Sequence, residues 1–315
     1  MLNRRHLRIK VLQTLYAYFQ SKNENFRSAE NEMLQSIERI YDLYVYLILS
    51  FGELHVLAER RHDENKKKLR PTDVDLNPNT KFVDNEIIKI LIESKQLRNI
   101  SEDRKVNWVG DEHQEMFRKI FNVIRDSETY FEFMNNGQTG FEEDLAFMVQ
   151  LFKTEIANSE ILYNFFEEKS IHWMDDIDLA CSMAVKTIKG FTENGDNVIL
   201  TLYKDKEDEL DFVRELLRKT ISFDKENIAL IDDLTQNWDI DRIAKMDVVL
   251  MKMAITEFQI FNNIPTKVTL NEYIEISKFY STPKSHTFIN GVLDQAIDRL
   301  TKDNKIQKVG RGLIS

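Results

Sequence analysis

The chain has 315 residues, 42% of them hydrophobic, and a formal net charge of −10. Such a length supplies a sizeable core, expected as two helical units, and the acidic balance excludes a protein that coats nucleic acid over its whole surface. A local basic patch remains open to function, because salt screens fields beyond roughly 8 Å.

Only nine glycines and four prolines interrupt the chain, which favours long helices over a turn-rich β fold. Leu7, Val11, Leu15 and Phe19 recur every fourth residue and predict a helix over 5–20. A longer pattern, through Leu34, Ile37, Tyr41, Tyr44, Ile48, Phe51 and Leu54, predicts a helix over 27–62. Its apolar run Tyr44–Leu49 is far shorter than the roughly 20 residues of a membrane span. No apolar block with a cleavage site follows the basic N-terminus, so we expect no membrane partner, no signal peptide and a cytoplasmic protein. Pro71 and Pro78 mark a non-helical connection. Further helices are expected at 84–98, 111–135, 141–169, 174–193, 206–221, 224–237, 241–262, 270–280 and 283–301. "NVILTLY" (197–203) has no partner strand and reads as a connector. Thr269–Glu272 has the pattern of a capping box, and Thr282–Pro283 that of an N-cap followed by proline at the first helical position. Residues 303–315 are polar, basic and Gly-containing and are expected to be disordered.

A 65-residue spacing relates Leu145 to Leu210, Phe147 to Phe212, Leu151 to Leu216, Trp173 to Trp238 and Asp176 to Asp241. A degenerate duplication and a shared apolar mask of two helical hairpins both explain it.

Little in the chain suggests catalysis. The six histidines are scattered, with no metal-ligand spacing, and no glycine-rich phosphate cradle occurs. No cofactor and no enzyme activity are expected. Cys181, the single cysteine, excludes an internal disulfide framework, fits a reducing compartment, and lies on an apolar helical face as a small core residue. The informative feature is the start of the chain. Arg4, Arg5, Arg8 and Lys10 precede any acidic residue, the first of which is Glu24. Basic residues at a helix start oppose the macrodipole, which hints at a functional reason for them. Arg5 and Tyr16 are three turns apart and project on nearly one side. Guanidinium groups beside an aromatic ring suit single-stranded RNA, the arginines on phosphates and the ring against an unpaired base. The alternative is that Tyr16 packs in the core and the arginines solvate a helix end.

The C-terminal third carries an ordered set of motifs: W-x-x-D-R from Trp238, "IPTKV" from Ile264, "NEYIEISK" from Asn271 and "SHTFINGVLD" from Ser285. With "RRHLRIKVLQTLYAY" at the start, they resemble the NusB transcription antitermination family over roughly 1–22 and 207–298. The resemblance implies an all-α fold, a NusB-like pair of helical bundles with an additional inserted helical region. It implies a role in processive transcription of ribosomal RNA operons within the RNA polymerase antitermination complex. The implied partners are boxA-like single-stranded RNA and the small ribosomal protein S-ten (NusE). Carried over by position, Arg4, Arg5, Arg8 and Tyr16 contact RNA, with Phe288 and Asn290 contributing from the other bundle. Two departures stand out. Residues from about 63 to 206 have no family counterpart, and Lys284 and Thr287 stand where the family tends to have an acidic and a basic residue. The expected organisation is therefore N-terminal helices over 1–62, an inserted helical region over 63–206, a NusB-like unit over 207–302 and a tail over 303–315. A helical protein-interaction scaffold that has lost RNA binding is the competing expectation, favoured by the acidic charge and the insert.

Overall fold

A computed structural model describes residues 2–21, 25–235 and 243–313. Among these the chain is all-α, without a strand. The motif W-x-x-D-R and two of the repeat pairings, Trp173 with Trp238 and Asp176 with Asp241, involve positions outside the described residues.

Two compact units form, one from Glu38–Leu202 and the other from Leu2–Ile37 with Tyr203–Ser315. The boundaries expected at 62/63 and 206/207 thus sit differently. Residues 38–62 fall in the first unit because Tyr44, Val45, Ile48, Phe51 and Leu54 are sealed in its core.

Helix α1 (Arg4–Gln20) begins at Asn3, whose side chain accepts from the His6 amide at 3.0 Å, while His6 Nδ1 accepts from the Asn3 amide at 3.4 Å. Helix α2 (Phe26–Lys66) contributes to both units. It contains a stretch apolar and long enough to cross a membrane, but 61% of that window is buried inside the protein, as befits a core helix. The proline-marked connection holds one helical turn, α3 (Asp73–Leu76), closed by a Thr72–Asp75 capping box.

Three expected helices are each split by a serine. Ser94 separates α4 (Glu86–Glu93) from α5 (Lys95–Arg104). Ser127 caps α7 (Glu128–Asn135), which follows α6 (Asp111–Arg125). After α8 (Phe141–Leu151) and one π turn, Ser159 caps α9 (Glu160–Lys169). Each serine is extended and accepts from the amide three residues on, at 3.1 Å for Leu97, 3.3 Å for Tyr130 and 3.3 Å for Leu162. Helix α10 (Ile177–Lys189) follows a 3-10 turn.

The first unit is held by aromatic rings. Trp108 lies 4.7 Å from Tyr46 and 4.9 Å from Phe117, and its indole donates to the Tyr46 carbonyl at 3.0 Å. Phe133 and Phe147 stack at 3.7 Å. Ile199, in the expected connector, exchanges two hydrogen bonds with the Gln96 amide at 2.9 and 3.0 Å. The side-chain amide thereby replaces the missing neighbouring strand.

The second unit is organised around α13 (Lys245–Ile260), where Leu250, Met251, Met253, Ala254, Ile255 and Phe258 have no exposure. A helix apolar on every side must be central. Around it pack α1, α11 (Lys206–Ser222), α12 (Asp224–Leu234), α14 (Thr266–Tyr280) and α15 (Ser285–Lys302). Pro265 stands at the N-cap of α14, one turn ahead of the expected capping box. Thr269 is therefore inside the helix, and it and Glu272 have other partners. Helix α15 starts at Ser285 rather than at Pro283. The tail differs from the disorder expected of it: the Val309 amide donates to the Asn262 carbonyl at 3.0 Å and Lys308 Nζ to the Phe261 carbonyl at 2.9 Å.

Candidate nucleic-acid interface

Helices α1 and α13 run antiparallel. Arg8 near the start of α1 meets Glu257 near the end of α13, and Gln20 at the end of α1 meets Lys245 at the start of α13. The candidate residues therefore sort along the α13 axis, on which Lys245 and Glu257 are separated by about 18 Å.

At the arginine end, a groove is lined by Arg4, Arg5, Arg8, Asn263, Lys267 and Asn271, with Val309 and Gly310 of the tail at its edge. Arg4 Nη2 pairs with Asp208 at 2.5 Å, and its guanidinium lies 4.1 Å from the centre of the Phe212 ring, one turn further along α11. Its Nη1 has no hydrogen-bond partner among the described residues. Arg5 makes a bidentate pair with Glu272, at 2.9 and 2.8 Å. That hydrogen bonding raises the Arg5 pKa and lowers that of Glu272. Both arginines keep partial exposure, 34% and 40% of the side chain. The Arg4 pair, on a carboxylate 61% exposed, is worth only about 0.2–1 kcal/mol, whereas the bidentate, part-buried Arg5–Glu272 pair is the stronger of the two.

Arg8 is different. It is only 1% exposed. Its Nε and Nη2 donate to the two Glu257 oxygens at 2.8 and 2.6 Å, and Glu257 has no exposure. Glu257 also accepts from Thr269 Oγ1 at 2.8 Å and the Tyr273 hydroxyl at 2.9 Å. Burial acts to lower the Arg8 pKa, but the charge and hydrogen bonds of Glu257 override it and the net shift is upward. Arg8 thus ties α1 to α13 and α14 at the floor of the groove that Arg4 and Arg5 also line. His6, between Arg5 and Arg8, is held neutral. Burial and the neighbouring positive charges push its pKa down to about 4.

Tyr16 is half-buried, so its ring is not enclosed in the core. At the far end of α13 a second groove is lined by Thr235, Ala244, Lys284, Thr287, Phe288 and Gly291, and Phe288 is half-buried in it. It shares no residue with the arginine groove. Ser285 at its edge donates to Asp247 at 2.6 Å and Ser281 bonds the other Asp247 oxygen, so the polar start of α15 satisfies a buried carboxylate. Asn290 lies outside the lining of this groove, and its amide donates to Asp294 at 3.3 Å.

The residues expected to make one site thus form an arginine groove, a Phe288 groove and the Tyr16 surface of α1. Lys267, Asn263 and Asn271, with the carboxylates of Asp208 and Glu272, join the predicted arginines; Asn271 and Glu272 open the "NEYIEISK" motif, and Glu272 carries an Arg5 pair in place of the expected cap. Lys267 lies within the "IPTKV" motif.

The fold and site define an all-α protein whose second unit is a helical bundle centred on α13, with a groove at each end of that helix. Residues 178–298 match the NusB family. Relatives include the transcription antitermination proteins NusB of Salinibacter ruber, Natranaerobius thermophilus and Chloroherpeton thalassium. They are 44%, 37% and 36% identical over 33%, 28% and 33% of this chain. The matches span 65%, 66% and 49% of those relatives' own lengths, less than two thirds in each case. No solved structure matches the chain. The residues before 178, α1 included, lie outside the family match.

Proposed function

We propose that the protein is a cytoplasmic, NusB-type transcription antitermination factor. It binds boxA-type single-stranded RNA together with the small ribosomal protein S-ten (NusE), within the RNA polymerase antitermination complex. The observation that carries this is the arginine groove, which the α13–α14 loop and α14 of the NusB-like unit complete with Asn263, Lys267 and Asn271. Arg4 and Arg5 take phosphates there in exchange for Asp208 and Glu272. Tyr16 and Phe288 supply rings for unpaired bases, each such stack being worth about 1–3 kcal/mol. Asn290 adds a polar contact once it leaves Asp294. Titration of labelled boxA-type RNA, alone and with the ribosomal partner, tests the proposal. Saturable binding that tightens with the partner supports it, and absence of binding in both arms refutes it.

A second reading has its own support. The carboxylates on Arg4 and Arg5 favour a helical scaffold that has lost RNA binding, which forms a complex with the ribosomal partner and gains nothing from RNA.

A further inference from the structure

Residues 38–202 carry 31 acidic and 20 basic side chains, whereas the remainder carries 22 and 23. The negative charge of the molecule therefore belongs to the unit for which the family match offers least. On that unit, a groove follows α2 beside α4 and α5 and reaches the segment at 107–109. Its lining is largely apolar, including Ile48, Leu49, Leu91 and Trp108. Three further lining residues stay exposed, Val56 at 46%, Ile92 at 41% and Val109 at 79%. Clustered exposed apolar residues in a concave surface mark a place where another molecule binds.

Two neighbouring residues sharpen the point. Gly52 lies in the interior of α2, where glycine weakens a helix. A Cβ at Gly52 would meet only Ile92 Cγ1, at 4.0 Å, so packing within the unit does not demand glycine there. Its effect is to keep that part of the groove open. Glu53 is half-buried in the same groove, and its carboxylate makes no hydrogen bond or ion pair among the described residues. Burial pushes its pKa up, opposed by the charge of His113. A half-buried carboxylate with no hydrogen bond or ion pair is costly until a cation reaches it.

We propose that this groove receives an amphipathic helix of a partner protein, whose apolar face packs on Val56, Ile92 and Val109 and whose Lys or Arg pairs with Glu53. The stretch of α2 from Ile48 to Glu59 that lines the groove measures about 16 Å, the length of three helical turns. Apolar anchors spaced i, i+3 or i+4, and i+7 present such a face. The net negative field of the unit steers a basic segment toward it and repels nucleic acid. This surface is independent of the RNA reading.

The test is a phage-displayed library of randomised helical peptides about three turns long, selected on the whole chain and measured by fluorescence anisotropy. Enriched peptides should be amphipathic and carry one Lys or Arg opposite the anchors. Glu53→Gln should weaken them about tenfold or more, the effect of losing a charge-assisted hydrogen bond. Gly52→Leu, which fills the groove, should abolish binding while its melting curve shows the chain still folded. Absence of enrichment, enriched peptides without a basic residue, or affinities untouched by Glu53→Gln would overturn the proposal. Self-association of the chain that competes with the peptides would assign the groove to a second copy and overturn it as well.

Discussion

The guanidinium of Arg8 and the carboxylate of Glu257 meet in a bidentate pair inside the second unit, 249 positions apart in the chain. Thr269 and Tyr273 supply the remaining hydrogen bonds to the same carboxylate. The first helix, which lies outside the family match, is thereby fixed against two helices inside it. Arg8→Ala leaves Glu257 buried without its counter-charge, a loss of about 3–5 kcal/mol. Arg8→Met with Glu257→Leu removes both charges but leaves the buried Thr269 and Tyr273 hydroxyls without their acceptor, so it should recover only part of that loss. Thermal and urea unfolding of the single and double variants check both outcomes.

His6 makes the start of α1 sensitive to acid. Its folded-state pKa of about 4 lies below its ordinary value of 6.5. Between these two values the unfolded chain binds the proton and the folded chain does not, so stability rises with pH across that window. The contribution is fully present above pH 6.5 and is lost as pH falls toward 4. Glutamine at this third helical position still reaches back to the capping residue. His6→Gln should therefore show a smaller fall in melting temperature between pH 6.5 and 4 than the wild-type chain.

Ser94, Ser127 and Ser159 each close a helix start with one side-chain hydrogen bond. Replacing any one with alanine should cost about 1 kcal/mol. The cost should be additive across the three sites, which share no partner. Denaturant midpoints of the single and triple variants measure it.

Much of this architecture is visible in periodicity alone. The stripe of Leu7, Val11 and Leu15 correctly marks α1, and the run from Leu34 to Leu54 marks α2. The three serine breaks are not visible, because the apolar stripe continues across them and only the backbone turn shows that the serine caps a new helix. The misplaced capping box has a comparable cause. Glu272 has the right spacing to cap Thr269, but Arg5, distant in sequence, takes its carboxylate instead. In the candidate site, the segregation of Arg4, Arg5 and Arg8 is legible as charge, but their burial is not. Whether an arginine faces solvent depends on which acids the fold brings to it, and no local pattern encodes the meeting of Arg8 with Glu257. Phe288 and Asn290 are two residues apart on a helix and so face different ways. One lines a groove and the other pairs with Asp294.

Under the proposed RNA function, Tyr16→Ala and Phe288→Ala should each weaken boxA-type RNA by about 1–3 kcal/mol, the worth of one stacked base. Arg8 should behave otherwise, any effect of its replacement following from loss of folded protein. Comparing RNA affinity with the melting curve of each variant separates the two kinds of residue.

The most direct measurement is the salt dependence of RNA affinity for the wild-type chain and for the Arg4→Ala, Arg5→Ala double variant. Each phosphate contact to single-stranded RNA adds about 0.7 to the slope of log K against log salt. The double variant should bind more weakly, with a slope shallower by roughly 1.4 for two contacts, while its helix content stays unchanged. Equal affinity and equal slope in the two proteins would contradict the assignment of the arginine groove to RNA.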